Sequence, residues 1–307
     1  MIGKPEISVI VCTHNPNPAY LQEVIGGLRN QTIPAARWEL IVVDNNSAPP
    51  LEGSLLAGWH PAGKMLFEPL PGKTNALAAG ILASKSDLLL TIDDDNLPDA
   101  RYLENAIRLA GEWPALGVFS ASIEGRFEVG VAAWAASFLQ LLAVRPLDGD
   151  YWGNTKGENL FPIGAGMVFR RALGLKFVEE AKGPRFPHHL SRSGGKTFAG
   201  AEDTLFGYLA LADGHGLGAF RDLKLTHFMP ARRLTLGYLT EISRSLSYSH
   251  TILDRLYGSA GRSSLSSFAE WRLRLRRSFQ NSKKSKEERQ ILKAHLDGYL
   301  MAAREAL

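Results

Sequence analysis

Cysteine is almost absent from this chain, with Cys12 alone among 307 residues. A single thiol excludes a disulfide framework and any zinc site built from several cysteines. Long apolar runs are missing too. Residues 7–12 are too short for the core of a secretory signal, and Thr13, His14 and Asn15 follow at once. The longest apolar stretch, residues 129–144, falls short of the roughly 20 residues a membrane-crossing helix needs. The expectation is a cytoplasmic protein, peripheral on the inner face of the membrane if it meets a membrane at all. Internal repeats are absent, and no nucleic-acid-binding motif accompanies the basic charge, so nucleic acid is not an expected partner.

What is present is the composition of an enzyme, 45% apolar and 21% charged, in a length that holds one large domain and an appendage. The net charge of +4 is unevenly spread. From Arg262 onward eleven basic residues face five acidic ones, which leaves the preceding residues slightly acidic. Within that tail Phe268, Trp271, Leu275 and Phe279 share a helical stripe flanked by Arg272, Arg274, Arg276 and Arg277. Such a helix suits an anionic membrane surface. It equally suits a helix packed on the rest of the protein with its charges in water.

Residues 7–12, 40–43, 65–67, 88–92 and 116–120 are short apolar runs without alternation, which predicts strands buried on both faces. Helical spacing falls between them, at 20–28, after Gly72, and at 100–112. Ala76, Ala79, Gly80 and Ala83 give the second of these helices a small-residue face that can lie close to a sheet. Strands alternating with helices imply a mainly parallel sheet covered on both sides. In such sheets ligands bind beyond the carboxyl ends of the strands. Three of those ends are polar: Thr13 to Asn15, Asp44 to Ser47, and Asp93 to Asn96.

Further on, residues 131–144 predict one strongly apolar helix, 164–171 a glycine turn feeding a strand, and 186–200 a mobile loop. Glu202 and Asp203 open another apolar helix, and Leu223, Leu225 and His227 share a strand face. Residues 236–256 predict a long helix, 282–289 an exposed charged stretch, and Leu292, Leu296 and Leu300 a final helix.

The run at residues 87–99 is the centre of this pattern. An apolar strand ends in Asp93, Asp94 and Asp95, three partly desolvated like charges that call for a positive partner such as a divalent cation. A solvated turn with Asp99 capping the next helix is the other reading of the triplet alone. Asp44 is in the same position, as an ordinary turn residue or a ligand contact. Lys73 reads unaided as a surface lysine, and Arg232 with Arg233 as phosphate binders or, by default, a solvated pair.

Seven stretches, in order, resemble the family 2 glycosyltransferases with the GT-A fold. ISVIVCTHN resembles that family's opening, LIVVDNNS its second strand end, GKTNALAAGI a helix start, and TIDDDN the Asp-x-Asp motif. GAGMVFRR resembles the glycine turn beside the acceptor, GAEDTLFGYLA the segment with the catalytic base, and LTHFMP the strand with a late histidine. The resemblance covers roughly residues 5–235. It implies a GT-A catalytic domain at 1–235, with a nucleotide-binding half to about 120 and an acceptor-binding half to 235. Residues 236–307 then form a helical, basic extension.

By the same resemblance, Asp95, Asp93 and His227 hold Mn²⁺ or Mg²⁺, and Asp93 also serves the ribose. Thr13, Asn15, Asp44 and Lys73 line the donor, Gly164 and Gly166 the acceptor side. Asp203 is the base, with Glu202 beside it. The implied reaction is metal-dependent, inverting transfer of one sugar from a nucleotide diphosphate sugar, UDP favoured over GDP. The acceptor is a glycan or lipid-linked sugar in surface polysaccharide synthesis. Ala78 stands where many members carry Asn, and the Gln-x-x-Arg-Trp motif of processive synthases is absent. The alternatives are a nucleotidyltransferase that forms nucleotide sugars and a non-catalytic nucleotide-sugar-binding protein.

Overall fold

The computed structural model describes residues 3–53, 58–157, 159–190, 200–258 and 283–305. Four of the expected strands are β1 (Ile7–Thr13), β2 (Trp38–Asp44), β3 (Gly63–Phe67) and β4 (Leu88–Asp93). They pair in parallel, in the order β3, β2, β1, β4. The register sets Thr13 beside Asp44 and Cys12 beside Asp93, so the three polar strand ends lie level on one edge.

Strand alternation sends side chains to opposite faces, and helices cover both. Ile7, Val9 and Val11 pack on one side with Leu21, Val24 and Leu28 of α1 (Pro18–Arg29) and with Leu103 and Ala106 of α3 (Tyr102–Glu112). Ile10 faces the other side, against Ala76 and Ile81 of α2 (Lys73–Ala83) and Leu173 and Phe177 of α5 (Arg171–Lys182). The small-residue face of α2 is needed: a Cβ on Gly80 would stand 2.4 Å from Ile10 Cγ2.

The sheet continues beyond β4 through β8 (Val168–Arg170), β6 (Leu116–Phe127), β9 (Gly216–Met229) and β5 (Asn96–Pro98), with β7 (Tyr151–Gly153) also on β9. β8 is antiparallel to both β4 and β6, while β6 and β9 run parallel. The strand expected to end at Ser120 therefore runs on to Phe127, and Leu223 to His227 is the second half of a longer strand.

Two local expectations fail for tertiary reasons. Residues 131–144 do not form one helix but a short α4 (Ala133–Ala136), a 3₁₀ turn at Leu139–Leu142, and Ala143 in the left-handed region at φ 57°. The break lets Ala135, Phe138, Leu142 and Val144 all face one cluster and brings Arg145 into a bridge with Ile123. Asp99 does not cap α3. Its carboxylate accepts the Arg101 N–H (3.0 Å) in a turn before the helix, whose cap position is Arg101.

The acidic pair Glu202–Asp203 opens α6 (Glu202–Ala212), as expected. α7 (Leu236–Tyr257) is capped by the Thr235 hydroxyl, and α8 (Lys286–Arg304) by a reciprocal Ser285–Glu288 box. Leu239 and Ile242 of α7 and Ile291 of α8 join Met229 and the 135–144 segment in one cluster. The expected final helix is present: α8 buries Ile291, Ala294, Gly298, Leu300 and Ala302, with Leu292 partly buried against the same cluster as Ile291. The basic aromatic stripe at 268–279 and residues 191–199 of the expected loop lie outside the described residues. No described helix is long and apolar enough to cross a membrane.

At the crossing of α7 and α8, a Cβ on Gly298 would lie 2.1 Å from the Arg244 carbonyl oxygen, a backbone atom that cannot swing away. Gly298→Ala is expected to lower stability by about 1–3 kcal/mol through overpacking. Gly26→Ala on α1, where nothing lies within 4 Å, should be neutral or stabilising. Paired thermal melts check this; equal melting temperatures would mean α8 does not pack as described.

Candidate active site

A cavity of 590 Å³ opens over the level ends of β1 and β4 and reaches Asp203 of α6, His227 of β9 and His250 of α7. The three aspartates of the triplet leave β4 in different directions and meet different partners. Asp93 receives Lys73 Nζ on both oxygens, at 2.7 and 2.8 Å. Asp94 accepts the Thr13 hydroxyl; burial, then the charge of Asp95, push its pKa up to about 7.

Asp95 is the most enclosed of the three. Burial alone would raise its pKa, but His227 and Arg233 outweigh burial and hold it well below the usual carboxylate range. Backbone pairing produces this grouping. Asn96 sits opposite His227 in the β5–β9 ladder, and the Asp95 carbonyl accepts the Phe228 N–H (2.9 Å). After Met229, Pro230 starts a 3₁₀ turn (Ala231–Leu234) that folds Arg233 back onto the carboxylate. Arg233 Nη2 is 3.0 Å from Asp95 Oδ2, Nη1 is 3.1 Å from His227 Nε2, and His227 Nε2 is 3.4 Å from Asp95 Oδ1. Arg232 and Arg233 are thus not a solvated pair: Arg232 is exposed while Arg233 is partly buried on Asp95.

The pair Asp95–His227 fits a divalent cation. Ligand atoms about 2.1 Å from an ion and at right angles stand about 3 Å apart, close to the 3.4 Å found here. One carboxylate and one imidazole would suit Mn²⁺ or Mg²⁺ with phosphate and water oxygens in the other positions. His227 Nδ1 is buried without a partner, which places the ring proton on that atom if Nε2 accepts from Arg233 or binds a metal. Asp93 is turned toward Lys73 instead, and no cluster of three or more His, Cys, Asp or Glu able to hold a metal forms among the described residues.

Asp203 faces the same cavity from the first turn of α6. Its Oδ2 accepts the Gly164 N–H (3.0 Å) and its Oδ1 the Thr204 N–H (2.7 Å). A Cβ at Gly164 would lie 3.7 Å from Asp203 Oδ2 and 3.6 Å from Lys73 Nζ, so this bare stretch of backbone lies between Lys73 and Asp203. Glu202 is buried beside it, with its oxygens taken by the Thr74 hydroxyl (3.0 Å) and the Ala201 N–H (3.1 Å). That carboxylate ties α6 to α2.

Other expected contacts lie outside the cavity. Gly166, at φ 70°, is a core residue: its carbonyl accepts the Tyr102 hydroxyl (2.6 Å), and a Cβ would stand 2.5 Å from that oxygen. Asn15 is exposed and binds the neighbouring loop, its side chain accepting the Ala48 N–H (2.8 Å). Asp44 is buried; burial would raise its pKa, but bonds from Ser47 and Leu51 outweigh it and keep the carboxylate charged. It borders a separate groove with Pro50, Leu51 and Phe67. His250 had no site role on sequence grounds, and the sequence did not single out Arg233 from Arg232.

The glycosyl transferase family 2 model matches residues 8–174, more than half of the chain. The chain belongs to that family. It is therefore a glycosyltransferase, and its mixed sheet with flanking helices is the GT-A fold. The structure of S. aureus TarS residues 1–349 matches with a TM-score of 0.55 at 18% identity, over 97% of this chain and 81% of that one. Its complex with UDP-GlcNAc gives 0.53 at 17%, over 97% and 90%. The mannosyltransferase PcManGT of Pyrobaculum calidifontis, solved with GDP-Man and Mn²⁺, gives 0.53 at 18%, over 98% and 73%. At these identities the likeness is one of fold. An uncharacterized Sinorhizobium fredii protein, y4gI, is 34% identical over 105 residues, which are 32% of this glycosyltransferase and 11% of that protein.

Removing one member of a buried pair leaves the other charge uncompensated, at a cost of about 3–5 kcal/mol. Asp95→Leu is expected to destabilise the glycosyltransferase on that scale, and Arg232→Ala to change little. The double variant Asp95→Leu/Arg233→Leu should recover much of the loss. Denaturant melts measure this; a harmless Asp95→Leu would refute the pairing.

Proposed function

We propose that this glycosyltransferase moves a single sugar, with inversion, from a nucleotide diphosphate sugar to a hydroxyl of a glycan or lipid-linked acceptor. The observation that carries the reading is that one cavity holds Lys73, Asp93, the Asp95–His227 pair and Asp203. UDP is the favoured nucleotide, and TarS and PcManGT have been solved with UDP-GlcNAc and GDP-Man respectively. The family assignment leaves the nucleotidyltransferase alternative without support, and the retained set of charged residues speaks against a purely binding role.

In this reading Asp203 takes the proton of the attacking acceptor hydroxyl on a carboxylate oxygen. The Gly164 N–H keeps that carboxylate aimed into the cavity. A single base and a direct displacement invert the anomeric centre. Lys73 and Arg233 carry positive charge toward the place where the diphosphate's negative charge grows. Asp93, held by Lys73, would meet the ribose, with Thr13 nearer the nucleoside. Asp95 and His227 would hold Mn²⁺ or Mg²⁺, which supplies Lewis-acid stabilisation of the leaving diphosphate. The setting we assign is surface polysaccharide synthesis on the cytoplasmic side of a membrane, with the basic residues after Arg262 as the contact to anionic lipid.

Release of UDP from a UDP-sugar in Mn²⁺, with water as acceptor, is the experiment. Asp203→Asn should reduce the rate by about 10²–10⁴-fold, the range of general-base catalysis, while retaining nucleotide binding by calorimetry. Excess chelator should stop release by the wild type. An unimpaired Asp203→Asn would reject the base assignment, and full release in chelator would reject the metal.

A further inference from the structure

Past Asp203 the cavity continues beneath α7, where Tyr238, Ile242, Leu246 and His250 line it at four-residue spacing. A repeat of four keeps side chains on one helix face. His250 ends this row. Its side chain is open to the cavity, and it has no hydrogen bond to any described residue. It lies deep enough for desolvation to lower its pKa, and Asp203, Lys156 and Asp254 are the charges it feels. A neutral imidazole offers one donor and one acceptor.

The charges around this lobe are already matched. Lys156 Nζ lies 2.8 Å from Asp254 Oδ1 and 3.1 Å from the Tyr208 hydroxyl, which itself donates to Asp254. Lys156 is thus spent on a carboxylate, and the negative charge of Asp203 is offset by the buried Arg145 guanidinium behind the lining. A phosphate or carboxylate brought here would meet Asp203 and Asp254 without an unpaired cation among the described residues that line the lobe. A neutral ring with hydroxyls would not, and its C–H face would suit Ile242 and Leu246.

We propose that this lobe is the acceptor compartment for an uncharged pyranoside, in which His250 contacts a hydroxyl neighbouring the one that faces Asp203. The assignment rests on the glycosyl-transfer reading of Asp203. It extends the site to α7, beyond the span that the family model matches.

The test uses the full chain with ring-labelled histidine, saturated with UDP and Mg²⁺, and reads the His250 ring signal among eight, assigned by its loss in His250→Gln. The probes are methyl glycosides of glucose, galactose, mannose and N-acetylglucosamine, with glucose 6-phosphate as the charged competitor. At least one neutral glycoside should shift the His250 signal while the sugar phosphate does not. With that glycoside as acceptor, His250→Ala should raise its KM about ten-fold, as expected for one hydrogen bond of about 1.4 kcal/mol, with the donor KM changed less than two-fold. A shift by the sugar phosphate alone, or by none of the probes, overturns the proposal. Wild-type protein that releases no UDP from any UDP-sugar would instead overturn the glycosyl-transfer reading.

Discussion

A carboxylate enclosed at the end of a parallel strand needs positive charge, and here the chain supplies it from 130 residues away. Asp95 sits between His227 and Arg233, both from the end of β9 and the turn after it. That meeting depends on the β5–β9 ladder, whose register places Asn96 opposite His227. The ladder therefore does two things: it closes the sheet at its far edge and completes the charged floor of the cavity. Arg233 neutralises Asp95 and contacts His227 Nε2, so a divalent cation bound there would have to compete with the guanidinium for both.

The rest of the site follows from the level strand ends. Parallel register aligns Thr13, Asp44 and Asp93, and the close approach of α2 through Gly80 brings Lys73 within reach of Asp93. Asp203 arrives from α6, fixed by Glu202 on Thr74 and by the Gly164 N–H on its own carboxylate. α7 then roofs the far part of the cavity, which gives the C-terminal helices a place in the site as well as in the core.

The sequence was most readable where chemistry and periodicity agree. Unbroken apolar runs ending in Thr13, Asp44 and Asp93 implied a parallel sheet with a polar edge, and the structure has it. Motif resemblance singled out Asp203 and His227, and both line one cavity. It placed Gly166 and Asn15 on the ligand side because a motif records neighbours along the chain, whereas φ 70° at Gly166 serves a contact with Tyr102 in the core. Arg233 was illegible for a related reason: nothing in Pro-Ala-Arg-Arg says which arginine a 3₁₀ turn will point inward. The 131–144 segment misled because its composition favours helix, while the bridge between Ile123 and Arg145 requires the chain to turn. The α7 row ending at His250 was visible as a four-residue repeat, but only the cavity distinguishes it from an ordinary core stripe.

The central claim is that this cavity binds a nucleotide diphosphate sugar together with a divalent cation through Asp95 and His227. A thermal-shift screen of UDP- and GDP-sugars, each with and without Mn²⁺, tests it most directly. Binding to the native state alone stabilises by about 2.7 kcal/mol at a hundred-fold excess over Kd. The account predicts a rise of several degrees with at least one sugar nucleotide, UDP-linked first, that is lost on omitting Mn²⁺ and in His227→Ala. Melting temperatures that ignore every sugar nucleotide, or that rise equally without the metal and in His227→Ala, would contradict it.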